Sequence, residues 1–380
     1  MTSAYVGAAT SITAADVPAL YEGAKFYAPA VGDASRNTLL SWLTSLLERN
    51  GPVSLVRLEA MAPDTCCVSL CVIGSGAAMA DLPPSGDEFE LAARELEEVT
   101  RCRFGAVYPL SAGTISALVP LAAASQLGVP LLDADGMGRT FALIHHTSMQ
   151  LAGLLPTPLV VRGATGESIT IKVQDAARAD TLLHSNVEML GGWGALAAYP
   201  CTTGQLRQAA LPQTVSRLIN VGRLLLRPAQ ADVLLGRLAA VTGCRRIARG
   251  RIVELEHLSR PTDFTIPAHP SSIVVEEVEG QRRLLRLELR SEIVAVFADG
   301  SLTAAAPDLV CLITVERGEV ATLDSLEPDD LVDVLVMPAD AVWYSAEGLA
   351  MVGPHTHGIA LAHPRSGPRK TGSPARGLAR

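Results

Sequence analysis

Residues 105–133 read GAVYPLSAGTISALVPLAAASQLGVPLLD, and this stretch decides the fold. Gly105–Leu110 is short and apolar, with Val107 and Tyr108 at its centre, which reads as a buried strand. Ser111-Ala112-Gly113 breaks it, and the Ala- and Leu-rich run that follows reads as a buried helix reaching Gly128, where glycine favours a stop. Val129–Asp133 then gives a second strand, ending on a carboxylate. A strand, a helix and a strand in so few residues imply parallel strands joined by a right-handed crossover.

The same alternation runs outward. Upstream, Cys67–Ile73 reads as a buried strand ending at Gly74-Ser75-Gly76. After Pro83-Pro84, Ser85 and Glu88 have capping-box spacing, and Phe89, Ala92, Leu96 and Val99 recur at helical spacing opposite a row of glutamates. Downstream, Pro156–Thr170 interrupts the pattern, and Asp175–Leu190, Gln205–Leu211, Thr214–Leu226 and Gln230–Val241 read as helices. Ser272–Val278 and Arg283–Leu289 read as a hairpin around Glu279-Gly280, continued by Ile293–Phe297, Leu309–Val315 and Leu331–Met337. The fold class is therefore α/β, with a largely parallel sheet and flanking helices over residues 1–170. A C-terminal α+β domain with mostly antiparallel strands follows over 171–362, and a disordered basic tail over 363–380.

Composition agrees. A chain of 380 residues suits two domains, and 48% apolar against 18% charged residues can bury a sizeable core. The net charge of −8 speaks against nucleic acid as a partner. Only the tail, with Arg365, Arg369, Lys370, Arg376 and Arg380, is basic. No apolar stretch has the length and flanks of a membrane span, and the N-terminus lacks a signal-peptide pattern. Seven cysteines, an odd count, fit reduced thiols and a cytoplasmic protein. Cys67 and Cys71 share one strand face and Cys66 takes the other, as buried small apolar residues.

Ligands of parallel sheets bind beyond the carboxyl ends of the strands, and three such ends carry informative residues. Gly74, Ser75 and Gly76 let the backbone approach a ligand. Ser111, Gly113 and Thr114 open a helix, whose N–H groups suit an anion. Asp133-Ala134-Asp135-Gly136-Met137-Gly138-Arg139 offers Asp133 or Asp135 as general base or metal ligand and Arg139 as a bidentate anchor. The last pattern equally suits an Asx-type turn with a buried Arg–Asp pair. His145 and His146 follow; adjacent residues of a helix point about 100° apart, so they do not chelate one metal together. His355 and His357 would share a side if their segment were extended.

The run Leu131–Phe141, then Leu151-Ala152-Gly153, resembles the S-methyl thiohydantoin desulfurase family. Gly191-Gly192 with Tyr199-Pro200-Cys201-Thr202-Thr203-Gly204 is similar to its second-domain signature, and Glu347–Pro354 to its C-terminal one. The resemblance implies an N-terminal α/β and a C-terminal α+β domain. It also implies a small cyclic ureide as substrate, whose ring thiocarbonyl sulfur is replaced by oxygen with release of sulfide. The cofactor is left unknown, with a divalent metal such as zinc as one option for activating the water and its ligands unassigned. The protein partner it points to is a hydantoinase-type enzyme; a homo-oligomer is a separate option that the sequence leaves open. Catalysis would fall to Asp133, Asp135, Arg139, His145 and His146, so that Asp135→Asn abolishes turnover. Gly74–Gly76, Ser111, Gly113 and Thr114 would bind substrate. The chain departs from the family pattern at Tyr27–Asp33, at Leu110-Ser111-Ala112-Gly113 and at Ala142-Leu143. The rival reading is a ligand-binding or regulatory partner without turnover.

Overall fold

The computed structural model describes residues 10–29, 32–257 and 270–364. The basic residues 365–380 of the tail, and Ala30 and Val31 of the Tyr27–Asp33 turn, lie outside the described residues.

Strands β1 (Thr10–Ile12), β2 (Val53–Val56), β3 (Cys66–Gly74), β4 (Ala106–Pro109), β5 (Leu131–Leu132), β6 (Ala134–Asp135), β7 (Leu159–Arg162), β8 (Ser168–Ile171), β9 (Trp193–Thr202) and β10 (Leu211–Pro212) precede residue 213. Eight of them form one sheet in the order β1-β2-β5-β4-β3-β9-β7-β8, while β6 and β10 pair as a separate ribbon. The pairs β2–β5, β5–β4 and β4–β3 are parallel, as the alternation predicts. The pairs involving β1, β9, β7 and β8 are antiparallel.

The helices are α1 (Val17–Tyr27), α2 (Arg36–Asn50), α3 (Gly76–Asp81), α4 (Glu88–Thr100), α5 (Thr114–Leu127), α6 (Ser148–Leu151), α7 (Ala176–Val187), α8 (Thr203–Ala209), α9 (Thr214–Leu225), α10 (Ala231–Thr242) and α11 (Ala346–Val352). One face of the first sheet, with Val68, Leu70, Val107 and Leu131, packs on α1, α2, α4, α5 and α9. The other, with Cys67, Cys71, Tyr108 and Leu132, packs on α7, α8 and Trp343. Helix α5 is apolar all round because it lies inside this layer, and Gly128 ends it in the left-handed region at φ 68°. Helices α1 and α9 cross closely: a Cβ on Gly222 would strike the Ala19 carbonyl, and one on Gly23 that of Leu218.

Strands β11 (Arg245–Glu256), β12 (Ser272–Glu277), β13 (Leu284–Leu289), β14 (Ile293–Ala298), β15 (Ser301–Ala305), β16 (Leu309–Thr314), β17 (Glu319–Ala321) and β18 (Leu331–Met337) build a second sheet. Its order is β15-β14-β13-β12-β11-β18-β16-β17, with every pair antiparallel. Alternation in β16 sends Val310 and Leu312 into this sheet's own core. Leu309, Cys311 and Ile313 turn instead to the core shared with α1 and α10. The expected helices of 175–242 are present. The break read near residue 170 falls at the end of β8, and β9 beyond it still joins the first sheet.

The reduced-thiol reading needs correction. Cys66 and Cys102 form a disulfide, with Cα atoms 6.6 Å apart. Cys66 opens β3, and Cys102 precedes β4, which lies parallel beside β3, so the crossover returns one thiol to the other. Cys67, Cys71, Cys201, Cys244 and Cys311 remain free. The thiol argument for a cytoplasmic protein lapses with that bond. Among the described residues, no helix is long and apolar enough to cross a membrane.

Candidate functional site

A cavity of about 490 Å³ opens where β3 and β4 end. Gly74, Ser75, Gly76, Ser111, Gly113 and Arg139 all line it, so three sequence-distant predictions meet in one place. Gly74, at φ 97°, lets β3 turn away from the sheet; a Cβ there would also strike the Gly192 carbonyl. Ser75 caps α3, its hydroxyl accepting the Ala77 N–H at 3.2 Å. Helix α5 starts at Thr114 with no side chain capping it, so its first N–H groups are orphan donors. Ile115 and Ser116, from that first turn, border the cavity.

Beside the α5 terminus, Thr140 Oγ1 is buried and has no hydrogen-bond partner. It comes so close to Gly113 that a Cβ there would collide with it. Arg139, 2% exposed, forms an ion pair with Glu292, 7% exposed. It also donates to the Pro307 carbonyl and lies 4.8 Å over the Phe141 ring. Burial pushes the Arg139 guanidinium down to about 10, which leaves it cationic at neutral pH. Glu292 sits in the turn between β13 and β14 and Pro307 between β15 and β16. The arginine therefore ties the end of the first sheet to the second sheet, and the cavity has walls from both.

The two aspartates do not reach this cavity. Asp133 Oδ1 accepts the Ser216 N–H at 2.9 Å, in the first turn of α9, and the Asp133 carbonyl accepts the Gln213 N–H. Asp135 Oδ1 accepts the N–H groups of Met137 and Gly138 at 2.8 and 2.6 Å. This is the Asx-type turn that the sequence also allowed. The turn needs Gly138, at φ 70°, since a Cβ there would strike Asp340. Burial outweighs these bonds and raises the Asp135 carboxyl to about 7. The buried pair that accompanies the turn is Arg139–Glu292, with a carboxylate from far along the chain rather than an aspartate of the segment.

His145 and His146 also lie outside the cavity lining. Their rings meet edge-on with centroids 4.7 Å apart, and His146 abuts Phe141 at 6.4 Å. Burial, with His145 adding to it, pushes the His146 imidazole down to about 4. His355 and His357 belong to a short 3-10 turn, Pro354–His357, so the extended geometry that would align them is absent. Among the described residues, no three His, Cys, Asp or Glu side chains converge as metal donors. A donor set for zinc is thus not assembled among the described residues.

Glu292, Thr140, His184 and the wall Phe141–Ile144 were missed as lining residues. Glu292 and His184 lie far in sequence from any glycine-rich strand end, and only the antiparallel hairpin and α7 bring them in. Cys71 also lines the cavity, but burial pushes its thiol up to about 12, which leaves it an inert thiol.

Two joined sheets, one mixed with a parallel centre and one antiparallel, with a ligand-sized cavity between strand ends and a hairpin turn, define a two-domain α/β protein with an interdomain pocket. The chain belongs to the S-Me-THD-like family: residues 15–173 match its N-terminal domain and residues 174–364 its C-terminal domain. A crystal structure of a protein from Chromobacterium violaceum, solved as a structural genomics target, shares the fold. It matches with a TM-score of 0.76 at 21% identity, over 93% of this chain and 98% of that one. No curated protein matches the chain.

Proposed function

We propose that the protein is a desulfurase-like hydrolase that binds a thiohydantoin or related small cyclic ureide in the cavity and replaces the ring thiocarbonyl sulfur with oxygen. The observation that carries this reading is the meeting, in one cavity of about 490 Å³, of an uncapped helix terminus, an unpartnered hydroxyl and a buried ion pair. Cavities of roughly 300–1,000 Å³ with few polar groups suit small organic ligands. The family membership supports the substrate class.

In this reading the ring lies between Phe141 and the Gly74–Gly76 turn, with Ser111 and the Arg139–Glu292 pair meeting its amide edge. Its sulfur points at the first N–H groups of α5 and the Thr140 hydroxyl. Water attacks the thiocarbonyl carbon, a C–O bond forms, and the C=S π pair moves onto sulfur. The helix terminus and Thr140 donate to that developing anion, an interaction worth most when it is stronger in the transition state than in the ground state. The tetrahedral carbon then expels hydrosulfide, a better leaving group than a ring amide nitrogen.

Sulfide release and loss of thiocarbonyl absorbance on a panel of thiohydantoins, with purified protein, test the proposal. Turnover with one sulfide per substrate consumed supports it. Binding without turnover would instead identify a ligand-sensing partner, and neither binding nor turnover would remove the substrate class.

A further inference from the structure

Among the cavity-lining groups able to exchange a proton, Arg139 and Glu292 hold each other. Tyr27 and Cys71 are each pushed up to about 12 by burial. His184 is left. It stands on α7 at the cavity wall, with 42% of its side chain exposed. Its Nδ1 lies 3.2 Å from the Asp180 carboxylate and 3.0 Å from the Asp180 carbonyl. A proton on Nδ1 satisfies those acceptors and makes Nε2 the basic nitrogen.

Asp180 is 6% exposed, and its carboxylate also accepts the Ile144 N–H at 2.9 Å. Ile144 ends the run Thr140–Ile144 that forms one cavity wall. One carboxylate thus fixes both the imidazole and the wall. His145 Nδ1, 3.9 Å from Asp180, stands beyond hydrogen-bond range.

We propose that His184 is the acid/base residue of the cavity and that Asp180 is its positioning residue. The assignment rests on the desulfurase-like reading above. His184 Nε2 takes a proton from water as the water oxygen bonds to the thiocarbonyl carbon and the C=S π pair moves onto sulfur. On collapse, His184 returns that proton to sulfur and the C–S bond breaks. The hydroxyl proton passes to solvent as the C=O forms, giving the oxo ring and hydrosulfide. A plain i,i+4 Asp–His pair on a helix would account for the same distances, so the test must read more than stability.

Burial opposes ionisation of Asp180, yet the neighbouring His145 and His184 imidazoles and the Ile144 N–H hold its carboxyl well below the usual range. The Asp180 carboxylate in turn raises His184. The other groups facing this pair are His145 and His146 from the 141–147 loop and Tyr199 from β9, which burial pushes well up, with Cys71 from β3 in the same cavity lining. Of these His146, at about 4, and Cys71, at about 12, do not change state near neutrality.

The test is sulfide release against pH by the full-length protein with a 2-thiohydantoin, alongside its binding constant. His184→Gln should lower kcat by at least ~100-fold, the usual size of acid/base catalysis, with Kd within about threefold. Asp180→Asn retains an oxygen for the Ile144 N–H. It should move the alkaline-activated limb of the profile to lower pH and lower kcat about tenfold. His184→Gln turning over within threefold of the wild type, or an unmoved limb in Asp180→Asn, would overturn the role while leaving the desulfurase-like reading intact. A wild type that binds but releases no sulfide overturns both.

Discussion

At the ends of β3 and β4 the backbone stops pairing and its small residues border an open cavity. At the end of β5 the chain runs into another kind of environment. There Asp133 caps α9, Asp135 closes a turn on its own backbone, and the Trp343 indole donates to the Met137 carbonyl at 2.9 Å. From this segment Met137 and Arg139 reach the cavity. At one end of the sheet, the β3 and β4 ends thus hold a ligand space while the neighbouring β5 end holds the domains together. The contrast shows that a carboxylate beyond a strand signals chemistry only when its oxygens are not consumed by nearby N–H groups, as both of these partly are.

The Arg139–Glu292 pair joins the two regions, so breaking it should have the largest effect. Arg139→Met leaves the buried Glu292 uncompensated and should cost ~3–5 kcal/mol in denaturant unfolding, and Glu292→Leu should cost less, because Asp308 also faces the guanidinium. The double variant should regain most of that stability while losing ligand binding. Equal losses in singles and double would argue that the pair holds little.

Overpacking comes next. Gly113→Ala drives a methyl into Thr140 Oγ1 and should cost ~1–3 kcal/mol, together with weaker binding, since the collision lies at the cavity. Gly222→Ala, at the α1–α9 crossing, should cost at least as much with binding unchanged in the folded fraction. Loss of binding in both variants alike would erase the distinction between site and scaffold.

A smaller effect concerns pH. The folded Asp135 carboxyl, raised to about 7, favours the protonated form, whereas an unfolded aspartate has a value of about 3.9. Stability from this group is full below about 4 and is lost as pH rises through about 7. Asp135→Asn keeps an acceptor for Met137 and Gly138, so it should flatten stability across that window and leave turnover intact. The smallest change is Asp133→Ala, which removes a helix-end acceptor and should cost ~0.5–2 kcal/mol with no change in kcat. A stability loss above that range would show that Asp133 holds more than the α9 terminus.

Much of the frame was legible because periodicity reports burial directly. Strand β18, helix α5 and the parallel β3–β4–β5 core follow from apolar runs and glycine stops. Strand β9 was not legible: Trp193–Thr202 is mostly small residues with helices over both faces, so it shows neither alternation nor a β-branched run. Strand β11 was hidden by its arginines, four of which join or flank it between Arg245 and Arg251. In the candidate site, the glycine-rich turns were legible because strand ends and glycines are local signals. Glu292, Thr140 and the Asp180–His184 pair were not, since their roles depend on how the second sheet and α7 fold back.

The central claim is that the ligand site is the cavity between the β3–β4 ends and the β13–β14 turn, rather than the aspartates after β5. Ala142 is exposed at the cavity wall, so Ala142→Trp fills the entrance without disturbing the core. Sulfide release by the wild type, Ala142→Trp and Asp135→Asn, compared at matched melting temperature, tests the claim most directly. The account predicts that Ala142→Trp loses binding and turnover while Asp135→Asn keeps both. Full turnover by Ala142→Trp with an inactive, folded Asp135→Asn would contradict it.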